Sequence, residues 1–264
     1  MEPTLDQVLN WVEEAGNIAQ RLRQNDLLVR HKSKADLVTE ADTTIEAFLI
    51  EKIQTNFPGH RVNAEESGQH DGDSGHEWFI DPIDGTLNYA HGLPQYAISV
   101  AYACGGELKL GVISNPPMRE VFYAEAGKGA WLNGEPIRVS QTRELIDSML
   151  ITGFRFHLLD TPRSNINNFI RLSHEVQAVR RLGSAALDMA YVACGRVEGF
   201  WEIALHPWDV AAGTLLIQEA GGIVDTLYGE GELLRGSVDI LAANGEVFSK
   251  MQTILLDERA KSSL

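Results

Sequence analysis

Trp78-Phe79-Ile80-Asp81-Pro82-Ile83-Asp84-Gly85-Thr86 is the stretch on which the reading of the whole chain turns. Its first three residues are bulky and apolar, the composition of a short buried strand. Two carboxylates, Asp81 and Asp84, then stand where the strand ends and the chain must turn. Pro82 fixes its own φ and donates no backbone hydrogen bond, while Gly85 lets the backbone come close to a ligand. Gly85, Thr86 and the residues after them can open a helical turn whose unpaired N–H groups face an anion. Carboxylates below and amides above suit a metal phosphate, although an ordinary capped turn uses the same residue types.

Working outward, the hydrophobic period changes several times. Leu5, Val8, Leu9, Val12, Ala15, Ile18, Ala19 and Leu22 recur at helical spacing. A second helix is predicted over about 42–55, with Ile45, Phe48, Leu49 and Ile53 as its apolar face, followed by a strand at Arg61-Val62. Strands are predicted at 97–103, 110–114 and 120–124, and Asn133-Gly134 marks a hairpin turn between Trp131-Leu132 and Ile137. The later part reads as strand 148–152, helices 166–175 and 185–193, strand 199–203, helix 208–219 and a final strand at 240–243. Consecutive strands argue for an antiparallel sheet, and the alternation after them for an α/β half. A soft boundary near residue 140 therefore divides the chain into 1–140 and 141–264, with no flexible linker and no internal repeat.

The chain of 264 residues, 44% apolar and 22% charged, has the composition of an ordinary globular protein and can bury a sizeable core. No apolar run approaches the roughly 18 to 20 residues that span a bilayer. The acidic, amphipathic start lacks the marks of a secretory signal, so a cytoplasmic protein is expected. Cys104 and Cys194 lie in apolar stretches and are expected as buried, reduced thiols. A formal net charge of -15 disfavours nucleic acid and anionic membranes as partners. It would equally repel a phosphorylated metabolite unless cations held by the acidic residues reverse the local sign, which is the first hint of a metal.

Three further segments carry carboxylates. Trp208-Asp209-Val210-Ala211-Ala212-Gly213 opens a helix, where Asp209 in the first turn can cap free amides and the small residues permit close packing. Asn63-Ala64-Glu65-Glu66-Ser67 sets adjacent carboxylates after a strand, a pattern that a solvated surface also shows. In the run 32–42, Asp42 could simply cap the second helix.

Taken jointly, these segments resemble the inositol monophosphatase family of the lithium-sensitive, magnesium-dependent sugar phosphatases. The resemblance rests on Trp78 through Tyr89 and on Trp208-Asp209-Val210-Ala211-Ala212-Gly213 through Gly221-Gly222. It extends through 36–42, Glu65-Glu66-Ser67, 127–134 and 181–186, nearly the whole chain. It implies an α/β (α+β) fold layered as an α-β-α-β-α sandwich, with the site where the two halves meet, and a homodimer. It implies two Mg2+ ions, one held by Glu65, Asp81 and the Ile83 carbonyl and one by Asp81, Asp84 and Asp209, with a third near Glu65 left open. Glu65, and Thr86 oriented through Asp42, would activate water against a small phosphate monoester. Substrate would meet Asp84, Gly85, Thr86, Gly183, Ser184, Ala185, Glu202 and Asp209, with Lys32 or its competitor Lys34 as a nearby basic residue. Inositol 1-phosphate is the implied substrate, and lithium inhibition would follow from close kinship. Fructose 1,6-bisphosphate is the alternative, with Arg155, Arg180 or Arg181 meeting a second phosphate; a regulatory protein that keeps the fold is the alternative of a different class.

Other residues invite a reading that the sequence does not sustain. His70 and His76 lie in an acidic, Gly-rich segment, 69–77, expected as a mobile loop and not as a zinc site. His206 before Pro207 is expected to position the helix. Gly127-Lys128-Gly129 lacks P-loop spacing, and Ser184 has no arranged base.

Overall fold

The computed structural model describes residues 2–24, 29–31, 37–161, 163–229 and 231–256. In chain order these form α1 (Leu5–Arg23), the ribbon β1 (Val29–His31) and β2 (Leu37–Thr39), α2 (Glu40–Asn56), β3 (His60–Ala64), β4 (Gly68–His70) and β5 (Asp73–Asp84). Next come α3 (Thr86–His91), β6 (Ala97–Cys104), β7 (Glu107–Asn115), β8 (Glu120–Glu125) and the hairpin β9 (Ala130–Leu132) with β10 (Glu135–Ile137). The rest is β11 (Met149–Thr152), α4 (Ile166–Ser173), β12 (Ala178–Arg180), α5 (Ala185–Ala193), β13 (Gly199–Leu205) and α6 (Pro207–Glu219). β14 (Ile223–Thr226), β15 (Val238–Ala243) and α7 (Gly245–Leu256) complete it.

Local chemistry explains the element ends that matter. Thr4 and Gln7 form a capping box on α1, and Thr39 and Asp42 do the same for α2. The β9–β10 turn takes the positive φ values its sequence demands, 50° at Asn133 and 88° at Gly134.

Eight strands in the order β10-β9-β8-β7-β6-β5-β3-β4 make the first sheet, antiparallel except for β3 beside β5. The second has the order β12-β11-β13-β15-β14, parallel on the β12 side and antiparallel on the β14 side. Side chains alternate across each strand and so feed different cores. On β5, Trp78 and Ile80 join α1 and α2, whereas Phe79 points to the opposite core. That opposite core lies between the sheets and is filled by α5 and α6. On β13, Phe200 faces it too, while Trp201 and Ile203 turn outward to α4 and α7. The layers are thus α1 and α2, the first sheet, α5 and α6, the second sheet, and α4 and α7. The small residues read on α6 serve close approach: a Cβ at Gly111 would come within 3.0 Å of the Ala212 backbone.

Four expectations change. Segment 69–77 is not a mobile loop: it supplies β4 and the start of β5, because its residues pair with β3 and β6. The strand predicted at 240–243 is followed by α7, and β12 and β14 were not predicted at all. Cys104 and Cys194 are free but half-buried, not buried.

Candidate active site

The site is assembled where β5 ends. Pairing with β6 slips between Asp81, opposite Ser99, and Asp84, opposite Ala97, a bulge that Pro82 favours because it offers no N–H to the ladder. Asp81 is 2% exposed, and its Oδ1 has no hydrogen-bond partner. Burial first, then the charges of Glu65, Asp84 and Asp209, push its pKa well above the carboxylate range.

Asp84, half-buried, reaches the start of α5. Its Oδ2 accepts from Ser184 Oγ at 2.6 Å and from Ala186 N at 2.6 Å. Burial and Asp209 raise its pKa to about 6 against those hydrogen bonds. At Gly85, φ is 91° and a Cβ would lie 2.9 Å from Gln95 O and 3.0 Å from Gly183 O, so only glycine fits there. Thr86 then begins α3 and its hydroxyl lies 3.1 Å from Asp42 Oδ1 and 3.0 Å from Ile83 O. Asp42 is fully buried and accepts from Thr39 as well, so it both caps α2 and holds Thr86.

Glu65 follows β3, its N–H continuing the ladder to Ile80 O at 3.2 Å. The turn after it is fixed by Glu46 of α2, which accepts from Glu66 N and Ser67 N, both at 2.8 Å. Asp209, in the first turn of α6, accepts from His206 N at 2.8 Å and from Arg155 Nη2 at 2.9 Å. Glu202 on β13 is buried, and its carboxylate lies against Gly153, where a Cβ would come within 2.1 Å of it. Its pKa rises to about 8, driven by burial and by Asp209 and Asp84, with Arg155 and Arg181 opposing.

The structure therefore brings Glu65, Asp81, Ile83, Asp84, Thr86, Asp42 and Asp209 to one place, with Gly183, Ser184, Ala185 and Glu202 on the side of the second sheet. Lys32 and Lys34 lie outside the described residues. Glu46, Asn88, Arg155 and Asp188 belong to the candidate site or its supports, yet sequence reasoning singled out only Arg155, as a contact for a second phosphate, and assigned the others no role. Asn88 donates to Leu182 O at 2.8 Å and to Gln95 O at 2.7 Å, tying α3 to the 182–184 turn. Asp188 on α5 is 1% exposed, its Oδ1 unpartnered, and burial with Glu202 and Asp84 raises its pKa strongly. A charge on the apolar face of a helix, as at Glu46 and Asp188, is the one signal that could have found them.

The remaining candidates are occupied elsewhere. Gly127 N and Gly129 N both donate to the Glu219 carboxylate, at 2.7 and 2.8 Å, so that turn cradles an internal anion. His70 contacts Ser67 Oγ at 2.6 Å, and His76 stacks on His60 with ring centres 4.5 Å apart.

All the oxygens gathered here are hard donors, the type magnesium prefers and zinc sites seldom use alone. The orphaned Asp81 Oδ1 among three other acidic groups fits a cation. Among the described residues, however, no three acidic, histidine or cysteine side chains are already closed into a cage. The mutual influence of the four carboxylates and this openness are compatible, since Asp84 and Asp209 are drawn toward α5 and Arg155.

The profile of the inositol monophosphatase family matches residues 1–262. The chain is 42% identical over 262 residues to Nus factor SuhB of Escherichia coli K12, covering 98% of this chain and 97% of that protein. It is 43% identical over 229 residues to the inositol-1-monophosphatase of Synechocystis, covering 86% and 79%. The crystal structure of the extragenic suppressor protein suhB from Bartonella henselae superimposes with a TM-score of 0.89 at 36% identity, covering 96% of this chain and 98% of that one.

Proposed function

Because the chain belongs to the inositol monophosphatase family, we propose that it is a magnesium-dependent phosphatase of small polyol phosphate monoesters, inositol 1-phosphate foremost. The observation that carries this reading is Asp81, whose buried Oδ1 lacks a partner amid the charges of Glu65, Asp84 and Asp209. On this reading Glu65, Asp81 and the Ile83 carbonyl hold one Mg2+, and Asp81, Asp84 and Asp209 a second. Bound there, the two ions would stabilise both the attacking and the leaving oxygens of an in-line displacement.

The chain's own groups do the rest. The Thr86 hydroxyl, steadied by Asp42 and Ile83 O, keeps a lone pair for an incoming water, and the Glu65 carboxylate takes that water's proton. The water oxygen bonds to phosphorus as the ester P–O bond breaks, its electron pair leaving with the alkoxide oxygen, which takes a proton from solvent water. Phosphate rests on the Gly85 and Thr86 amides, while the alcohol faces Gly183, Ser184, Ala185 and Glu202. Domains 1–140 and 141–264 would contribute the phosphate side and most of the alcohol side, in keeping with one sheet drawn from each. A cytoplasmic setting agrees with the free thiols of Cys104 and Cys194. A homodimer rests on the family resemblance.

The test is a panel of phosphate monoesters with purified protein, with magnesium and with excess chelator. Hydrolysis of inositol 1-phosphate that stops in chelator is expected; undiminished turnover in chelator withdraws the metal assignment. The name of the Escherichia coli relative, a Nus factor, favours a second reading as a regulatory binding protein that keeps the fold. Failure of the whole panel with magnesium present would leave that reading standing.

A further inference from the structure

Arg155 stands on the turn that follows β11, and that turn is held from below. Asn165 donates to Gly153 O at 2.8 Å and to Thr152 Oγ1 at 2.9 Å, and accepts from the Trp201 indole at 2.8 Å. Glu202 fills the space beside Gly153 that any other residue would need. Thus fixed at its root, Arg155 extends a guanidinium to Asp209 Oδ2 at 2.9 Å, an oxygen that already accepts from His206 N. Burial alone would lower the pKa of Arg155, yet Asp209, Glu202, Asp84 and Glu65 together hold it above the ordinary value. The side chain thus faces the carboxylate cluster.

We propose that Arg155 is an internal competitor for the second magnesium ion at Asp209. This inference rests on Asp209 being a ligand of that ion. In the metal-free protein the guanidinium neutralises a buried carboxylate that would otherwise repel Asp81 and Asp84. A divalent ion arriving at the same carboxylate meets a charge already half answered and a cation of like sign. Two like charges on one acceptor weaken each other's binding by about tenfold or more, even with water-like screening. The effect is reciprocal, so occupancy of the second site loosens Arg155 and the turn that carries it. The magnesium requirement of this chain is accordingly set in part by a residue that is not a ligand.

The experiment is calorimetric titration of magnesium chloride into metal-free protein without substrate, in the parent, Arg155→Met and Arg155→Lys. Arg155→Met should bind the weaker ion about tenfold more tightly or better, with Arg155→Lys close to the parent. Melting in excess chelator gives the second readout: Arg155→Met should unfold at a lower temperature than the parent, and saturating magnesium should close the gap. Equal or weaker magnesium binding by Arg155→Met, or Arg155→Lys behaving as Arg155→Met does, overturns the proposal. Asp209→Asn leaving the titration untouched would sink the ligand assignment itself, and the competition with it.

Discussion

Glu202 places a carboxyl in a buried position where burial, more than any single charge, raises its pKa to about 8, with Asp209 and Asp84 adding to the effect. An acid raised in the folded state contributes stability that is fully present below its ordinary pKa and lost as pH rises through the folded value. Asp84, raised to about 6, acts in the same direction over a narrower window. The metal-free protein should therefore lose stability between about pH 4.5 and pH 8.5. Glu202→Gln removes the larger contribution, so in chelator at pH 8.5 the variant should gain about 1 to 2 kcal/mol over the parent, roughly 3 to 6 °C in melting temperature. Parallel melting curves for parent and variant across that range would mean that Glu202 is not held protonated. Glu202 was legible only through the family resemblance, since a glutamate after Phe200-Trp201 is locally just a strand residue. The strand-end setting of the β5 carboxylates was legible in consecutive residues, whereas their reading as a site, against an ordinary capped turn, came from the resemblance. Arg155 meets Asp209 across 54 positions of sequence, and no local pattern encodes that approach.

Among the elements, α5 shows how a helix end joins the two sides of the site. The Ser184 hydroxyl accepts from Leu187 N at 3.4 Å, capping the helix, and donates to Asp84 Oδ2 at 2.6 Å. Ser184→Ala should cost about 1 kcal/mol of stability through the lost cap. It should also weaken magnesium binding near neutral pH, because Asp84 loses a hydrogen bond that favours its charged form. Ser184→Thr keeps the hydroxyl and should restore both, as denaturant unfolding and a magnesium titration on the two variants would show. Unaltered unfolding and titration in Ser184→Ala would leave the hydroxyl with neither task. The helix itself lies at the predicted bounds, Ala185–Ala193. Elements whose order comes from a neighbour were missed or shortened. β12 and β14 are short strands at the sheet edges, and residues 73–77 at the start of β5 are polar with no apolar alternation, so only pairing with β3 and β6 makes them a strand.

Across the whole molecule, periodicity announced an antiparallel half and an α/β half, whereas the stacking of five layers came from the resemblance. Nothing in the spacing of Phe79 against Trp78 and Ile80 says which helices cover either face. The halves are joined by burial around α5 and α6 and also by a charged clamp that no motif announces. Arg235, between β14 and β15, donates to both oxygens of Glu77 on β5, at 2.5 and 3.0 Å. Glu77 is 3% exposed and its other cation, Arg61, stands off at 3.4 Å, so without Arg235 a buried carboxylate would be left poorly paired. Half of the Arg235 side chain is in solvent, which screens the pair and trims the penalty for breaking it. Arg235→Ala should accordingly cost about 2 kcal/mol, or roughly 4 to 8 °C in melting temperature. Turnover below the melt should hold, because Glu77 stands in the middle of β5, short of Asp81 and Asp84, and neither it nor Arg235 touches them. Adding Glu77→Gln should return part of the loss, since a neutral amide tolerates burial better than an unpaired charge. If Arg235→Ala melts with the parent, or if the second substitution deepens the loss, the clamp does not hold the two sheets in register and α5 and α6 carry that task alone.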